Sequence, residues 1–383
     1  MVNKIVFFIS ARSTGDGGHF YSLVTTARAL QDRYNVHIIT IGKHSPVIEE
    51  AGLPCSFIPS SFHDHLSVTI KMVKLLRRLN PDVIHFFDYS SYLMGIFAIY
   101  ICRIPVALTK CGGPINKNFP YVNNLIVYTK EDYNYFLSVI SEKETQLALI
   151  PNRVLPFSQD ERRIESLKKE FYLEGRRVIL RIGRFGGYLC TAIQCIKMVK
   201  ALHELDDRFV LVLIGVNNEE NVEKLRLEAG GVDYIHIVTD DKYTLNAKAL
   251  IDVAEIVVGT GRGFMEACFM DKLIMAPNKG QNFPELISED NFQNIFYYNF
   301  SERYTNNKKI MTEVLLNKIN NNKLHSRKWF DEYFSFERIN PLYTEFYANL
   351  RSTNHNKLIW NNCWKSIRFG LSNVNWLKRL FKK

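Results

Sequence analysis

The segment GTGRGFMEACFMDKLIMA, residues 259–276, constrains the fold more than any other part of the chain. It follows residues 251–258, whose apolar end is typical of a buried strand in a parallel sheet. Glycines on both sides of Arg262 allow a sharp turn that leaves backbone amides uncovered, and helical character begins at Phe264. Such a strand–turn–helix unit predicts a pocket for an anion, and Glu266 in the first helical turn could accept hydrogen bonds from ligand hydroxyls. The alternative is a plain glycine turn with a surface glutamate.

Size and composition indicate a globular protein of two domains. The chain has 383 residues, of which 46% are hydrophobic and 13% aromatic, and a single core usually stops growing below that length. Seven scattered cysteines without a CxxC pair predict reduced thiols in a cytosolic setting, and neither a zinc site nor disulfides. Residues 4–9 lead directly into a strand-like segment, so no signal peptide is expected. The apolar residues 92–102 are too few to span a bilayer.

Strand-like and helix-like segments alternate along the chain, which is typical of parallel sheets covered by helices on both faces. The predicted strands lie at residues 4–10, 36–41, 56–58, 82–87, 106–109 and 125–128, and in a second series at 178–182, 210–214, 235–238, 256–258 and 272–276. We therefore predict an α/β protein with two Rossmann-like domains facing a cleft. The predicted segments are domains at 1–155 and 156–327, closing helices at 328–350 and a basic tail at 351–383.

Two further sites follow predicted strands. Gly17 and Gly18 lie between the first strand and the first helix, where a Rossmann protein holds a phosphate. The GxGxxG fingerprint is absent, so NAD binding is not expected. Arg184 follows Gly183 at the end of a strand in the second domain, where a guanidinium can bind phosphate oxygens in a bidentate manner. The alternatives are a simple tight turn at the glycines and a solvated arginine at the strand end.

Segments over residues 1–350 together resemble the two-domain (GT-B) glycosyltransferases, and within them the retaining enzymes of glycosyltransferase family 4. The segments follow the family's order, and they are GGHFYSLVTTARAL, VHIIT, PDVIHFFD, IPVALT followed by GG, LIPNRV, RIGRF, FVLVLIGV, DVAEIVVGTGRGFMEACFMDKLIMAP and YFSFERINPLYTEFYANL. The resemblance implies that a sugar is transferred from a nucleotide-sugar donor to a glycan acceptor. The acceptor hydroxyl would attack on the face from which the nucleoside diphosphate departs, and the configuration would be retained.

The resemblance also implies roles for single residues. Arg184 would neutralise charge on the departing diphosphate, Glu266 would bind the ribose, and the backbone at Gly17 and Gly18 would approach the diphosphate. The implied donor-binding residues are Gly17, Gly18, Gly261, Gly263 and Glu266. The nucleotide-sugar is a substrate, and neither a metal nor another cofactor is implied.

Three positions depart from the family's pattern. Leu189 stands where the family has a lysine, Val258 stands where it has the first glutamate of a pair, and residues 109–113 lack a histidine often found there. Arg262 is therefore predicted to supply the missing positive charge at the leaving group, and Lys110 is a second candidate. The acceptor-side candidates are His19, His85 and Lys110, with a packed histidine as the alternative for His85.

The tail carries most of the net charge. Residues 351–383 contain eight basic and no acidic residues, and without them the net charge falls from +10 to +2. Trp360, Trp364, Ile367 and Leu371 share one face of a helix, and tryptophans beside lysines and arginines suit the headgroup layer of an anionic membrane. We predict docking on such a membrane through residues 357–383. The alternatives are a helix packed on the protein body or an oligomer contact, and nucleic acid is not expected because the body is nearly neutral.

These features predict a cytoplasmic glycosyltransferase, peripheral on the inner face of a bacterial-type cell membrane. It would extend a surface glycan such as lipopolysaccharide or capsule, with a lipid-linked acceptor expected from the tail and from family analogy. Two other functions fit the same architecture. One is a sugar-nucleotide epimerase, and the other is a catalytically degenerate partner subunit that binds sugar nucleotides.

Overall fold

The structure is a computed structural model that describes residues 2–15, 17–116, 118–140, 144–186, 189–215, 219–307, 309–322 and 324–373. The predictions for residues 374–383 lie outside the described residues. The chain forms two compact units. The first comprises residues up to Asn152 together with the described residues from Phe336, and the second is Arg153–Ser335.

The first unit is built on a sheet of seven parallel strands. They are β1 (Lys4–Ala11), β2 (Asn35–Gly42), β3 (Cys55–Pro59), β4 (Val83–Phe86), β5 (Val106–Lys110), β6 (Asn124–Val127) and β7 (Gln146–Leu149). The helices between them are α1 (Gly18–Leu30), α2 (Pro46–Glu49), α3 (His65–Leu79), α4 (Tyr89–Cys102) and α5 (Lys130–Val139). The strand order is β3-β2-β1-β4-β5-β6-β7. The order in which successive strands are added therefore reverses between β1 and β4. The apolar run of β1 is buried along almost its whole length, as expected for a strand covered on both faces.

The second unit carries a sheet of six strands in the order β10-β9-β8-β11-β12-β13. Its strands are β8 (Arg177–Ile182), β9 (Phe209–Ile214), β10 (Ile235–Val238), β11 (Ile256–Val258), β12 (Leu273–Ala276) and β13 (Glu285–Leu286). Its helices are α6 (Glu161–Glu170), α7 (Leu189–Leu205), α8 (Glu219–Ala229), α9 (Asp241–Thr244), α10 (Arg262–Phe269), α11 (Glu289–Tyr297), α12 (Thr312–Asn320) and α13 (Arg327–Trp329), with a 3-10 helix at Ala247–Val253 and a π-helical turn at Phe330–Phe334. Among the strands that the structure describes in this unit, only β13 pairs antiparallel to its neighbour. Helices α7, α8 and α12 cover one face of the sheet, and α6, α10 and α11 cover the other.

The predicted closing helices are divided between the two units. Phe330 and Phe334 pack in the core of the second unit, whereas helix α14 (Phe336–Ala348) places Tyr343 and Tyr347 in the core of the first. The boundaries between the units therefore fall after Asn152 and Ser335. The sequence-based boundaries lay after residues 155 and 327, and residues 328–350 were predicted to form one segment. Two short strands, β7 and β13, are absent from the sequence-based prediction.

Helix α15 (His355–Ser372) is the predicted amphipathic helix, and it too belongs to the first unit. Asn362 exchanges two hydrogen bonds with the backbone of Tyr121, at 2.9 and 2.8 Å, and Ser366 Oγ donates to Leu93 O at 2.7 Å. These small polar residues fix one side of α15 against α4 and against the segment that precedes β6. On the other side Trp360 is 87% exposed and Trp364 is 69% exposed. Across the described parts of the chain, the structure contains no helix with the length and apolarity needed to cross a membrane.

Candidate functional site

The carboxyl edge of the second sheet brings together two predicted site segments. Strands β8 and β11 are neighbours, with Ile179 opposite Ile256 and Leu180 opposite Val257. From β8 the chain continues to β9 on one side, whereas from β11 it continues to β12 on the other. The loops after β8 and β11 therefore diverge and open a crevice, which is the usual ligand position in open α/β sheets. Gly183 and Arg184 follow β8, and the glycine turn 259–261 follows β11.

Close packing fixes the glycine turn after β11. A Cβ atom on Gly259 would lie 2.6 Å from the Cα of Phe264, and Gly261 has a φ of +49°. Both positions therefore require glycine. The amide of Gly261 donates to Asn299 O at 3.1 Å and that of Gly263 to Thr260 O at 3.1 Å. These two amides are engaged within the protein, which corrects the expectation that the turn leaves its amide groups uncovered.

Helix α10 begins at Arg262, two residues before the predicted start, and this pairs the two charged residues of the segment. Arg262 Nε donates to Glu266 Oε1 at 2.8 Å, and both side chains are about nine-tenths buried. Arg262 Nη1 also donates to Arg153 O at 3.4 Å. The predicted role of Arg262 as the positive charge for a leaving group is therefore weakened, because its guanidinium is held by the carboxylate that was predicted to bind a ribose.

Two arginines of β8 and its loop lie at the same edge. Arg184 is exposed directly after the strand, as predicted for a guanidinium that meets a ligand or solvent. Arg181, which the sequence analysis did not select, is only 3% exposed. Its Nη1 donates to Ile182 O at 3.1 Å and Val258 O at 3.3 Å, and its Nη2 donates to Thr260 Oγ1 at 3.4 Å. An arginine at a buried position of an apolar strand was the sequence signal for this residue.

The first turn of α7 lies at this edge as well. Leu189, the first residue of α7, contributes no charge. The carboxylate of Glu302 accepts hydrogen bonds from the amide of Thr191, at 3.2 Å, and from its hydroxyl. Burial and the nearby Glu302 raise the pKa of the Cys190 thiol to about 11. A cavity of about 410 Å³ adjoins this turn, and Gln194 lines it.

In the first unit, the predicted phosphate turn lies at the carboxyl end of β1. Gly17 precedes α1 in an extended conformation, with φ −69° and ψ 161°. A Cβ atom on Gly18 would meet nothing within 4 Å, so the backbone there is open to a ligand. His19 follows in the first turn of α1 and is partly buried. At the end of the neighbouring strand β4, Asp88 caps α4 and accepts bonds from the amide and hydroxyl of Ser10, at 2.7 and 2.8 Å.

The structure places His85 in the core and not at an acceptor site. It is 0% exposed, and its two ring nitrogens contact Tyr347 Oη at 2.5 Å and Thr109 Oγ1 at 2.7 Å. Burial lowers the pKa of His85 from 6.5 to about 3, so the ring is neutral at physiological pH. The packed-histidine alternative therefore describes this residue, and His85 joins the sheet to α14.

Lys110 is likewise a buried structural residue. Its ammonium lies 2.9 Å from the carboxylate of Asp132, and the two side chains are 7% and 0% exposed. It also donates to the carbonyl oxygens of Gly112 and Gly113 at 3.0 and 3.1 Å. These contacts tie the end of β5 to α5, and they replace the predicted role in substrate binding. Over the parts of the chain that the structure describes, no group of His, Cys, Asp and Glu side chains could hold a metal ion.

Comparisons with known proteins agree with this architecture. Residues 4–138 match the family described as glycosyl transferase 4-like. The structure of HepE from Anabaena in complex with UDP and glucose aligns with a TM-score of 0.65 at 15% identity, covering 90% of this chain and 99% of that chain. A glycosyltransferase from Rickettsia africae aligns with a TM-score of 0.67 at 15% identity, covering 91% and 98%.

A putative UDP-N-acetylglucosamine 2-epimerase from Listeria monocytogenes aligns with a TM-score of 0.61 at 14% identity, covering 93% of this chain and 98% of that chain. A search of curated proteins finds no match. The family match covers residues 4–138, and the structural alignments cover nine-tenths of the chain. Residues 4–138 thus match a family described as glycosyl transferase 4-like, and the two Rossmann-like units have the fold of the GT-B glycosyltransferases.

Proposed function

We propose that the protein is a glycosyltransferase that moves a sugar from a UDP-sugar to a lipid-linked glycan with retention of configuration. The observation that carries this proposal is the carboxyl edge of the second unit, where Arg184, the glycine turn 259–261 and Glu266 follow two adjacent strands. The match of residues 4–138 to a glycosyl transferase 4-like family supports the activity. UDP is chosen as the nucleotide because HepE, which aligns over nine-tenths of this chain, is solved with UDP.

In the proposed reaction, the acceptor hydroxyl oxygen bonds to the anomeric carbon while the bond from that carbon to UDP breaks. The departing diphosphate takes the acceptor proton. Arg184, exposed at the end of β8, neutralises the charge that grows on the diphosphate. Glu266 accepts hydrogen bonds from the ribose while its contact with Arg262 holds the carboxylate in place.

Ligand-dependent melting tests the donor site. UDP at 100 times its dissociation constant should stabilise the native protein by about 2.7 kcal/mol and raise the melting temperature by about 5 °C. GDP, ADP and CMP should give smaller shifts. Glu266→Gln should abolish the UDP shift, whereas Glu313→Gln, at an exposed position of α12 in the same unit, should keep it. A protein that melts at one temperature with every nucleotide would contradict the donor site.

The epimerase is the second candidate, because an epimerase from Listeria monocytogenes shares the fold. Incubation of the protein with UDP-sugars in the absence of acceptor separates the two activities. An epimerase changes the configuration of the donor sugar, whereas a transferase hydrolyses it slowly at most. Nucleotide binding without either product, also in the presence of lipid-linked glycans, would instead identify a degenerate partner subunit.

We also propose that α15 docks the protein on the inner face of an anionic membrane. The exposed Trp360 and Trp364 support this, as does the sequence of helices α3, α4 and α15, which contains seven basic and no acidic residues. Within α15, Arg368 is exposed, whereas Lys357 pairs with Glu144 and Lys365 donates to Phe119 O at 2.8 Å. The apolar side of α15 and the basic residues of the neighbouring helix α3 thus carry the proposed contact with the membrane.

Sedimentation with lipid vesicles tests this docking. The protein should bind vesicles that contain phosphatidylglycerol and should bind pure phosphatidylcholine weakly. The double change Trp360→Ala/Trp364→Ala should lower binding about tenfold, because two exposed aromatic side chains no longer enter the headgroup layer. Leu245→Ala, which removes a 67% exposed leucine from the second unit, is the matched control and should bind as the wild type does. Equal binding of all variants would contradict the role of α15.

A further inference from the structure

The cavity of about 410 Å³ beside helix α7 lies wholly within the second unit. One wall is a face of α7 that carries Gln194 and Lys197, and the other is the loop after β12, with Lys279 and Gln281. A volume of this size lies within the range of pockets that hold small molecules. Of the residues that the structure describes, none that was assigned to the proposed donor site lines this cavity.

Gln194 offers an acceptor that the protein leaves unsatisfied. The residue is only 8% exposed, and its Nε2 donates to Asn278 O at 2.7 Å and to Gln281 O at 2.8 Å. Because both of these partners are acceptors, the nitrogen must face the loop and the oxygen must lie on the other side of the amide. That oxygen, Oε1, is buried and has no partner among the described residues. Buried polar atoms are almost always hydrogen-bonded, so a donor from a ligand is indicated here.

The loop after β12 is held in place by its own hydrogen bonds. Asn278 is 1% exposed, and its side chain accepts from the amide of Asn306 at 2.8 Å and donates to the carboxylate of Glu285 at 2.9 Å. Gln281 Nε2 donates to Asn306 O at 2.8 Å. An ordered wall of this kind lowers the entropy that a ligand loses the protein on binding.

The charges around the cavity favour an anion. Lys197 and Lys279 are exposed, and the structure pairs neither ammonium with a carboxylate within the part of the chain that it describes. Glu302 is the one acidic residue in the lining, and its carboxylate already accepts hydrogen bonds from the amide and hydroxyl of Thr191. Two cations thus face one engaged carboxylate, and lysine is a common ligand of phosphate.

We propose that this cavity is a second ligand site, which binds a sugar phosphate. The ammonium groups of Lys197 and Lys279 hold the phosphate, and Gln194 Oε1 accepts a hydrogen bond from a sugar hydroxyl. Inorganic phosphate has no sugar hydroxyl for Gln194, and a neutral sugar leaves both lysines without a counter-ion. The site is independent of the proposed transfer from a UDP-sugar.

Isothermal titration with glucose 1-phosphate, glucose 6-phosphate and mannose 6-phosphate tests the site. At least one of them should bind ten times more tightly than glucose and inorganic phosphate do. In Lys197→Gln/Lys279→Gln, which changes two exposed side chains, its affinity should fall at least tenfold. Lys169→Gln, at an exposed position of α6 on the opposite face of the sheet, is the matched control and should bind as the wild type does. Absence of binding by all three sugar phosphates, or wild-type affinity in the double variant, would overturn the proposal.

The role of Gln194 has its own readout. Gln194→Leu should lower the affinity for the sugar phosphate about tenfold and leave that for inorganic phosphate within twofold of the wild type, because only the sugar contact is removed. Equal losses for both ligands would show a merely structural role for Gln194 and overturn the assignment of the sugar. If this variant does not fold, the double lysine variant decides.

Competition with UDP separates this site from the donor site. Saturating UDP should not displace the sugar phosphate, and Glu266→Gln should bind the sugar phosphate as the wild type does. Displacement by UDP would overturn the proposal of a second site. A protein that binds the sugar phosphate but not UDP would support this site and refute the donor site alone.

Discussion

Gly259→Ala should lower the turnover of UDP-sugar about a hundredfold. The new Cβ atom would lie 2.6 and 2.7 Å from the Cα and N atoms of Phe264. Phe264 cannot retreat, since its ring is fully buried and stacks on Phe300 at 3.5 Å. The turn must therefore shift, and displacements of about 1 Å at a site can cost about a hundredfold in rate. Overpacking should also cost about 1–3 kcal/mol of stability.

Gly263→Ala is the control for this variant, because the amide of Gly263, which the resemblance implied to bind the donor, donates to Thr260 O instead. A Cβ atom at Gly263 meets nothing within 4 Å, and the residue lies in the first turn of α10, where alanine is a better helix former than glycine. Steady-state kinetics and urea unfolding should therefore find turnover and stability close to the wild type. If Gly259→Ala kept wild-type turnover, the turn after β11 would not be part of the reacting site.

Lys110→Met should destabilise the first unit by about 3–5 kcal/mol, because it leaves the carboxylate of Asp132 buried without its cation. It also removes the two hydrogen bonds to the Gly112 and Gly113 carbonyls. The double variant Lys110→Met/Asp132→Leu should recover much of this loss, since no buried charge is left uncompensated. Urea unfolding followed by circular dichroism measures both variants.

Lys71→Met, at an exposed position of α3, is the matched control and should change stability by less than about 0.5 kcal/mol. The outcome also decides between the two roles considered for Lys110. A Lys110→Met protein that is as stable as the wild type but has lost turnover would restore the role in the reaction that the sequence suggested. Loss of stability without loss of turnover per folded molecule would confirm the structural role.

Local patterns in the sequence were sufficient for most of the fold. The apolar runs of β1, β8 and β11 predict buried parallel strands, and the glycine turn after β11 predicts the start of a helix. The pairing of Arg262 with Glu266 was missed because the helix was predicted from Phe264; with the helix beginning at Arg262, the two residues are four apart and pair across one turn.

Contacts between distant parts of the chain have no such local signal. Lys110 meets Asp132 only because β5 and β6 are neighbours in the sheet, and His85 meets Tyr347 across 262 positions of sequence. Both side chains were therefore predicted to be available for chemistry, because their partners are not adjacent in the sequence. Arg181 is the opposite case. A charged residue within a buried strand is a local signal for polar contacts, but only the fold identifies Val258 O as one of those contacts.

The return of α14 and α15 to the first unit has a consequence for biosynthesis. The second unit is one uninterrupted segment, Arg153–Ser335, so it can fold as soon as it leaves the ribosome. The first unit is begun earlier but completed later, because Tyr347, which closes over His85, and Arg351, whose amide donates to Asn124, are translated only after the whole second unit. During that interval the nascent sheet exposes the apolar surface that α14 will cover. A ribosome that stalls or terminates near residue 335 would therefore release a finished second unit joined to an unfinished first one, a natural target for chaperones and proteases.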